Sequence, residues 1–343
     1  MRVLLDIQKK LLPDLLDVLG SRFRILRFIR LMQPIGRRSL ATSLGMSERV
    51  LRSEVTFLKD QGLLDMATAG MTLTEEGKNV LTQLEEIMSD IFDLKDLEEQ
   101  IKKSLGLVEV IVVPGDSDEA PWVKKEMGRV TVQLMKRHLA DEASKIVALT
   151  GGTTIAAVAE MMTPDSEMKE TLFVPARGGL GEQVENQANT ICATMATKAM
   201  GSYRLLHVPD QLSQDSYSSL MEEPKVKEIL NLIRSANLVI HGIGEAKTMA
   251  ERRGSSEEIL QNLNEKQAVA EAFGYYFNKD GDIIHRVLTI GLQLEDVSNS
   301  KLVVAVAGGA SKAQAISAYM KQGTSNVLIT DEGAAKALLQ LHS

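Results

Sequence analysis

The stretch KIVALTGGTT, Lys145 to Thr154, decides the fold of the larger part of this chain. Its apolar run, Ile146 to Leu149, is typical of a strand buried in a parallel sheet. Gly151 and Gly152 end that strand, and a helix-forming run follows at 155–162. Glycines let a backbone approach a ligand, and the first N–H groups of a helix are unpaired at the positive end of its dipole. We therefore predict a loop that binds an anion such as a sugar phosphate. The alternative is a glycine turn that serves only tight packing.

The alternation of strand, loop and helix continues from residue 108 to the end of the chain. Besides 146–149, the predicted strands are 108–113, 172–175, 205–208, 238–241, 302–307 and 327–330, and a hairpin is predicted over 275–286. Such alternation over roughly 235 residues predicts an α/β fold with a doubly wound, mostly parallel sheet. Ligands of these sheets bind at the carboxyl ends of the strands, where the glycine loops lie.

Three glycine pairs follow predicted strands, at Gly151–Gly152, Gly178–Gly179 and Gly308–Gly309. Arg177 and Lys312 stand near the second and third pairs, and such cations suit a phosphate. The third pair leads into a predicted helix start that carries a hydroxyl, as the first pair does. We therefore expect these two loops to act in the same way.

Further polar residues complete the candidate site. Arg252 and Arg253 form a cationic pair that could bind a second phosphate or lie on the surface. Glu271 could accept hydroxyl protons of a sugar. The amides that could bond sugar hydroxyls are those of Asn186, Gln187 and Asn189. The candidate effector-binding residues are Gly151, Gly152, Thr153, Thr154, Arg177, Gln187, Arg252, Arg253, Glu271 and Lys312.

The N-terminal part shows the spacing of a helix-turn-helix. A first amphipathic helix is predicted to end before Pro34, and a short second helix leads to a turn at Gly45. Ser47 is a suitable N-cap for a third helix over 48–59. Its predicted inward positions are Val50, Leu51, Val55 and Leu58. Residues 63–73 then alternate as a small hairpin would, so we predict a winged helix.

The third predicted helix offers a polar face to DNA. Arginine binds guanine O6 and N7 bidentately in the major groove, and Arg49 and Arg52 lie three residues apart near the helix start. Hydroxyl groups on the same face could contact phosphates or base edges. The candidate DNA-binding residues are Arg37, Arg38, Ser47, Arg49, Arg52, Ser53 and Thr56. The alternative is a solvated basic face on a protein-interaction module.

Charge is distributed unevenly along the chain. Residues 1–60 carry 12 basic and 6 acidic side chains, a net of 12 − 6 = +6, so the remainder carries −7 − 6 = −13. A basic front with an acidic body indicates that only the front meets an acidic partner. The single cysteine, Cys192, excludes an internal disulfide. With no apolar run of roughly 20 residues, we predict a cytoplasmic protein without a membrane partner.

A helix after residue 74 connects the two predicted parts. Apolar residues alternate along it at spacings of four and three, namely Val80, Leu84, Ile87, Ile91 and Leu94. This seam could pair two copies of the chain, or it could pack on the body. We predict a winged helix-turn-helix DNA-binding domain at 1–90, a linker helix at 91–106 and an effector-binding and oligomerisation domain at 107–343. The Leu-rich residues 1–20 are predicted to be helical on either side of Pro13.

Over nearly its whole length the chain resembles the SorC family of bacterial transcription regulators. The resemblance rests on RRSLATSLGMSERVLRSEV (37–55), ALTGGTTIAAVAEMMTPDS (148–166), LFVPARGGLGEQVENQANTICA (172–193) and AVAGGASKAQAI (305–316). It implies a sugar-isomerase-like effector domain, with the fold of ribose-5-phosphate isomerase and glucosamine-6-phosphate deaminase. It also implies fructose-1,6-bisphosphate as inducer, and repression of a glycolytic operon through double-stranded operator DNA by a dimer-based tetramer. We predict no cofactor. The family's ligand contacts fall on the ten candidate effector-binding residues.

An enzyme is the alternative reading of the sequence: a sugar-phosphate isomerase or deaminase with an appended DNA-binding domain. Glu271, Asp280 or Asp282 would then be the general base. None has an obvious partner in the sequence, and a shared fold does not establish catalysis. We therefore predict a regulator and not an enzyme.

Overall fold

The computed structural model describes residues 10–179, 183–209 and 211–342, which form two compact units divided between Asp96 and Leu97. The predicted helical segment at 1–20 lies partly outside the described residues, because residues 1–9 do. The predicted domain limits at 90 and 107 stay predictions.

The first unit has the order of elements expected of a winged helix. Its elements are α1 (Pro13–Met32), α2 (Arg37–Leu44), α3 (Glu48–Asp60), β1 (Leu64–Ala67), β2 (Gly70–Leu73) and α4 (Glu75–Ile91). The strands β1 and β2 pair antiparallel as the wing, and an isolated bridge between Ile35 and Met71 extends it. The next helix, α5 (Leu94–Leu105), spans the division between the units. The predicted winged helix is confirmed.

Local signals in the sequence explain where α3 begins and which side it buries. Gly45 adopts the left-handed conformation that ends α2, and the Ser47 hydroxyl accepts a hydrogen bond from Val50 N at the start of α3. Leu51, Val55 and Leu58 are buried as predicted. The prediction for Val50 is wrong, because this side chain is 50% exposed. Its position lies about 100° around the helix from Leu51, outside the stripe that faces the core.

The buried face of α4 consists of Gly77, Leu81 and Met88. A Cβ atom at position 77 would overlap the carbonyl group of Leu63, so only glycine permits this close approach. Ile87, one member of the predicted seam, is exposed. Pairing of two copies through the seam stays a prediction.

The second unit contains two sheets. Its strands are β3 (Glu109–Val113), β4 (Ile146–Leu149), β5 (Leu172–Pro175), β6 (Ser202–Tyr203), β7 (Leu238–His241), β8 (Gly244–Glu245), β9 (Ala268–Ala272), β10 (Tyr275–Asn278), β11 (Ile283–Arg286), β12 (Leu302–Val306) and β13 (Val327–Asp331). Its further helices are α6 (Val123–Leu139), α7 (Thr153–Met161), α8 (Ala188–Ala199), α9 (Gln214–Glu222), α10 (Pro224–Arg234), α11 (Ala246–Arg252), α12 (Glu257–Glu265), α13 (Leu294–Ser298), α14 (Ala313–Met320) and α15 (Glu332–His342). Short 3₁₀ turns lie at 166–168, 184–186 and 310–312.

The large sheet is parallel throughout, with strand order β3-β13-β12-β7-β4-β5-β6. The apolar runs that predicted its central strands are buried, since helices cover a doubly wound sheet on both faces. The predicted doubly wound α/β fold is therefore confirmed. No helix among the described residues is long and apolar enough to cross a bilayer.

Two details of the sheets differ from the prediction. The strand expected at 205–208 is wrong, because the strand is Ser202–Tyr203. The backbone of Leu206 instead bonds the side-chain amide of Asn189, through both its N–H and its carbonyl. The predicted hairpin over 275–286 forms β10 and β11, and it belongs to a separate antiparallel sheet of order β11-β10-β9-β8.

Candidate functional site

A cleft opens at the carboxyl ends of the large sheet's strands. It encloses about 740 Å³, including its open mouth, which suits a small phosphorylated sugar. All ten predicted effector-binding residues line it. On one side of the cleft they come from the segments that follow β4, β5 and β12 of the large sheet. On the other side they come from the C-terminal end of α11 and from β9 of the smaller sheet. Their role in binding an effector stays a prediction.

The start of α7 supplies open hydrogen-bond donors. Gly152 has φ +115° and its N–H donates to the Asn186 carbonyl at 2.8 Å. A Cβ atom on Gly151 would stand 2.7 Å from that same carbonyl, so the loop requires glycine. Within the described part of the chain, the N–H groups of Thr153 and Thr154 donate to no protein acceptor. These two donors and the helix dipole make the loop ready for an anion.

Glu271 organises two of the arginines. Its Oε1 accepts from Arg177 at 3.3 Å, from Arg253 at 2.8 Å and from the N–H of Gly274 at 2.7 Å. Arg253 also donates to the hydroxyl of Tyr276 at 2.8 Å. Glu271 is buried, and burial of its carboxylate would cost free energy without these cations, which stabilise the negative charge. It holds the arginines at the cleft wall.

Lys312 reaches the cleft from the turn after β12. Among the residues that the structure describes, none forms a hydrogen bond or ion pair with its amine. Burial lowers the pKa of Lys312 below its ordinary value of 10.5, and the nearby Lys124 lowers it further. Asp118 and Asp331 act in the opposite direction, to a smaller total effect. Partial burial of a cation without a directly bonded carboxylate costs free energy, and an anionic ligand would offset that cost.

The charge of the cleft is positive although the surrounding unit is acidic. Its lining includes four cations and one carboxylate, a net of 4 − 1 = +3. The cations are Arg177, Arg252, Arg253 and Lys312, and the carboxylate is Glu271. An excess of positive charge in a concave, partly desolvated site selects anions.

The other two glycine loops do not act as the first does. The N–H groups of Gly178 and Gly179 donate to backbone carbonyls at 3.0 and 3.2 Å. At the third pair, Gly309 N–H donates to both oxygens of the buried Asp331, at 3.0 and 2.8 Å. Ser311 N–H donates to Asp118 at 2.8 Å. The expectation that the first and third loops act alike is therefore wrong, since carboxylates of the chain already occupy the third.

The sequence left part of the cleft unpredicted. Ile243, Met249 and Phe273 form an apolar part of its wall. Phe273 has φ +55°, an uncommon conformation for a bulky residue. The centroid of its ring lies 4.7 Å from the centroid of the His241 ring. Of the predicted amides, Gln187 and Asn186 line the cleft, whereas Asn189 supports Leu206 and does not. The only sequence signal for Phe273 was the following glycine, which permits a tight turn.

The candidate general bases of the alternative enzyme are poorly placed. Asp280 and Asp282 lie in the β10–β11 turn, bonded through their N–H groups to Asn278, and do not line the cleft. Burial lowers the pKa of His241 to about 4, and Ser325 bonds its Nε2 at 2.9 Å. Glu271 is committed to two guanidinium groups.

In the first unit, all seven predicted DNA-binding residues are exposed, on α2, on α3 and at the N-cap of α3. Arg22 and Arg30 of α1 instead pair with Glu54 and Glu85, at 2.7 and 2.6 Å. Arg22 and Arg30 therefore support the fold, whereas the arginines of α2 and α3 are exposed to a partner. Arg38 forms an exposed ion pair with Glu48, at 3.5 Å, which contributes little to stability.

A winged helix followed by an α/β unit with a cationic cleft defines a ligand-binding transcription regulator. Residues 18–88 match the family described as "CggR N-terminal DNA binding domain", and residues 89–340 match the "Putative sugar-binding domain" family. The chain belongs to the SorC family of sugar-binding transcriptional regulators, as the sequence predicted.

Particular relatives agree with this assignment. The chain is 58% identical to the central glycolytic genes regulator of Priestia megaterium and 61% identical to that of Bacillus subtilis, each over 99% of both chains. A SorC family transcriptional regulator from Enterococcus faecalis is 45% identical, with a TM-score of 0.67 over 71% of this chain and 99% of that one. The full-length sorbitol operon regulator SorC from Klebsiella pneumoniae is 19% identical and shows a shared fold, with a TM-score of 0.67 over 90% and 94% of the chains. Because these relatives are named as regulators, the prediction of a regulator and not an enzyme is confirmed.

Proposed function

We propose that the chain represses a glycolytic operon and that fructose-1,6-bisphosphate, bound in the cleft, controls its affinity for operator DNA. One observation carries the proposal: two open helix N–H groups and the amine of Lys312, which has no partner among the described residues, line a single cleft of net charge +3. The names of the 58% and 61% identical relatives support the glycolytic target.

One phosphate of the ligand is proposed to bind the N–H groups and hydroxyls of Thr153 and Thr154, because a helix start favours an anion. The second phosphate is proposed to bind towards Arg252, which lies on α11 across the cleft. Gln187 would bond a sugar hydroxyl between them. A bisphosphate would thus connect the large sheet's loops to α11, and this connection is how it would favour one conformation over another.

DNA binding is proposed to occur through α3, with Arg49 and Arg52 reading bases and Arg37 and Arg38 contacting phosphates. We further propose a homodimer that assembles into a tetramer, in which ligand shifts the balance between assemblies of different DNA affinity. A ligand shifts that balance only by binding one of them more tightly.

Fluorescence anisotropy on fragments of the cognate glycolytic promoter, with and without fructose-1,6-bisphosphate, tests the proposal. We expect nanomolar operator binding at moderate salt and a weaker complex once ligand is added. Light scattering on the same samples reports the oligomeric state. If ligand between micromolar and millimolar concentration changes neither DNA affinity nor assembly, the proposed control is wrong.

A thermal-shift panel of glycolytic phosphates tests the choice of ligand separately. A compound that binds only the folded state raises the apparent stability of the protein, and the increase grows with the logarithm of the ratio of ligand concentration to Kd. We expect fructose-1,6-bisphosphate to raise the melting temperature more than fructose-6-phosphate or inorganic phosphate. A larger shift from a monophosphate would contradict the bisphosphate assignment while leaving the cleft as the site.

A further inference from the structure

The turn that carries Lys312 is fixed by carboxylates of a distant segment. Asp118, in the loop after β3, accepts a hydrogen bond from Ser311 N–H at 2.8 Å, although 193 residues separate them in the sequence. The Asp118 N–H is itself fixed by Asp116, at 2.9 Å. Gly309 lies directly against Asp118, since a Cβ atom there would overlap the carboxylate. Asp116 also contacts this turn directly, since its Oδ1 accepts a longer hydrogen bond from Ala310 N–H at 3.4 Å.

Lys312 is the one residue of this turn that lines the cleft; Gly308, Gly309 and Ser311 do not. The position of its amine therefore depends on the backbone of residues 309–312, where Lys312 N–H also closes the 3₁₀ turn by donating to Gly309 O at 3.0 Å. Asp118 bonds that backbone one residue before Lys312.

We propose that Asp118 is a positioning residue of the effector site, which orders the 309–312 turn so that Lys312 meets a phosphate of the ligand. The inference rests on the function proposed above and deepens it. Asp118 touches no ligand in this scheme; it acts through the lysine. Preorganising a charged group reduces the ordering cost that binding would otherwise incur.

Charge alone predicts the opposite of what positioning predicts. A carboxylate near an anion site repels a phosphate, so neutralising Asp118 should strengthen binding if electrostatics were its only effect. Loss of the hydrogen bond to Ser311 N–H should weaken binding if Asp118 positions Lys312. Because Asp118 is exposed, its replacement leaves no cavity in the core.

Calorimetric titration with fructose-1,6-bisphosphate separates these effects in the full-length protein. We expect Asp118→Ala to bind about three- to tenfold more weakly than wild type, the loss of one hydrogen bond. Asp118→Asn, whose amide oxygen can still accept from Ser311, should bind as tightly as wild type or more tightly. Glu119→Ala is the matched control, because it removes an equal charge from the neighbouring exposed position, whose side chain makes no hydrogen bond in the described structure.

A double-mutant cycle with Lys312→Gln shows whether Asp118 acts through the lysine. In that background we expect Asp118→Ala to change affinity less than twofold, because the group it positions is gone. An undiminished effect would overturn the proposal, as would an Asp118→Ala protein that binds as well as wild type. If wild type binds neither fructose-1,6-bisphosphate nor inorganic phosphate, the proposed function fails first, and this inference with it.

Discussion

At the scale of single residues, Lys312 and His241 show how burial disfavours the charged form of a basic side chain. His241 ends β7 and Lys312 lies in the turn after β12, and burial lowers the pKa of each. Lys312 has no partner among the described residues, whereas His241 is bonded to Gly242 O at 3.0 Å and to Ser325 at 2.9 Å. The lysine therefore suits a role in binding and the histidine a role in the core.

Ligand affinity should fall as the pH rises through the lowered pKa of Lys312. A phosphate bound beside the amine would favour its protonated form, so the pKa of Lys312 would be higher in the complex than in the free protein and binding would take up a proton. Above the free protein's pKa, we expect Kd for fructose-1,6-bisphosphate to rise by up to about tenfold per pH unit. Calorimetry between pH 7.5 and 10 measures this, since the phosphates (second pKa about 6) are already fully ionised in that range.

Lys312→Gln serves as the control for that titration. It should bind fructose-1,6-bisphosphate more weakly than wild type at pH 7.5, and its Kd should rise less steeply between pH 7.5 and 10. If Kd rose equally steeply with pH in both proteins, the pH dependence would belong to a group other than Lys312.

Acid should destabilise the second unit through His241. The folded-state pKa of about 4 lies below the ordinary 6.5, so the unfolded chain takes up a proton first as the pH falls. The neutral imidazole makes its full contribution to the free energy of unfolding above pH 6.5, and about 3 kcal/mol of that contribution is lost by pH 4. Urea unfolding at pH 7 and pH 4.5 should therefore show a smaller pH effect in His241→Gln than in wild type. The exposed His207→Gln provides a comparison that should retain the wild-type pH effect.

At the scale of elements, the sequence predicts the long buried strands well, and the short strand and the roles of the glycine loops less well. The apolar runs located β4, β7 and β12 because a buried parallel strand is apolar along its whole length. The very short β6 was missed, since two exposed residues carry no such signal. The three glycine pairs looked alike, and only the fold shows that Asp118 and Asp331 occupy the third. A hydrogen bond across 193 residues cannot be read from local spacing.

For helix α3, the sequence predicts the N-cap correctly and the buried face less well. Ser47 followed by helical spacing located the start of α3, because capping is a local interaction. Val50 was assigned to the core from its apolar side chain alone, yet it is half exposed beside Arg49. Apolar character does not decide burial at the edge of a helical stripe.

Arg49→Ala should weaken operator binding by about 1–3 kcal/mol and relax base preference at one position of the operator. The reason is that Arg49, an exposed arginine near the start of α3, is proposed to form a bidentate contact to guanine, which alanine cannot form. Binding of Arg49→Ala to a set of single-base operator variants, followed by anisotropy, measures both effects. Lys59→Ala removes a charge from the last turn of the same helix and should leave base preference unchanged. A uniform loss of affinity over all variants would reassign Arg49 to a phosphate.

At the scale of the whole molecule, the chain combines a basic N-terminal segment with an acidic remainder that includes a cationic cleft. Residues 1–60 carry a net charge of +6, and the remainder carries −13. The acidic remainder repels DNA, while the local excess of +3 in the cleft still attracts a small anion. Charge patterning along the sequence predicted the first effect. The second required the fold, because Arg177, Arg252 and Lys312 are far apart in the chain.

The proposed control of DNA binding by a ligand of the second unit predicts that ligand binding and DNA binding can be separated by substitution. Thr154→Ala should bind fructose-1,6-bisphosphate roughly tenfold more weakly or worse, since a hydroxyl bond to a charged group is lost from the start of α7. Without ligand its operator affinity should equal that of wild type, so the concentration of ligand needed to release DNA should rise by the same factor. Anisotropy with operator DNA over a ligand series measures both quantities in one experiment. Thr197→Ala, an exposed threonine of α8 outside the cleft, should release DNA at the wild-type concentration. If Thr154→Ala abolished DNA binding while both units stayed folded, the cleft would be required for DNA binding itself, and the ligand would act by a different linkage from the one proposed.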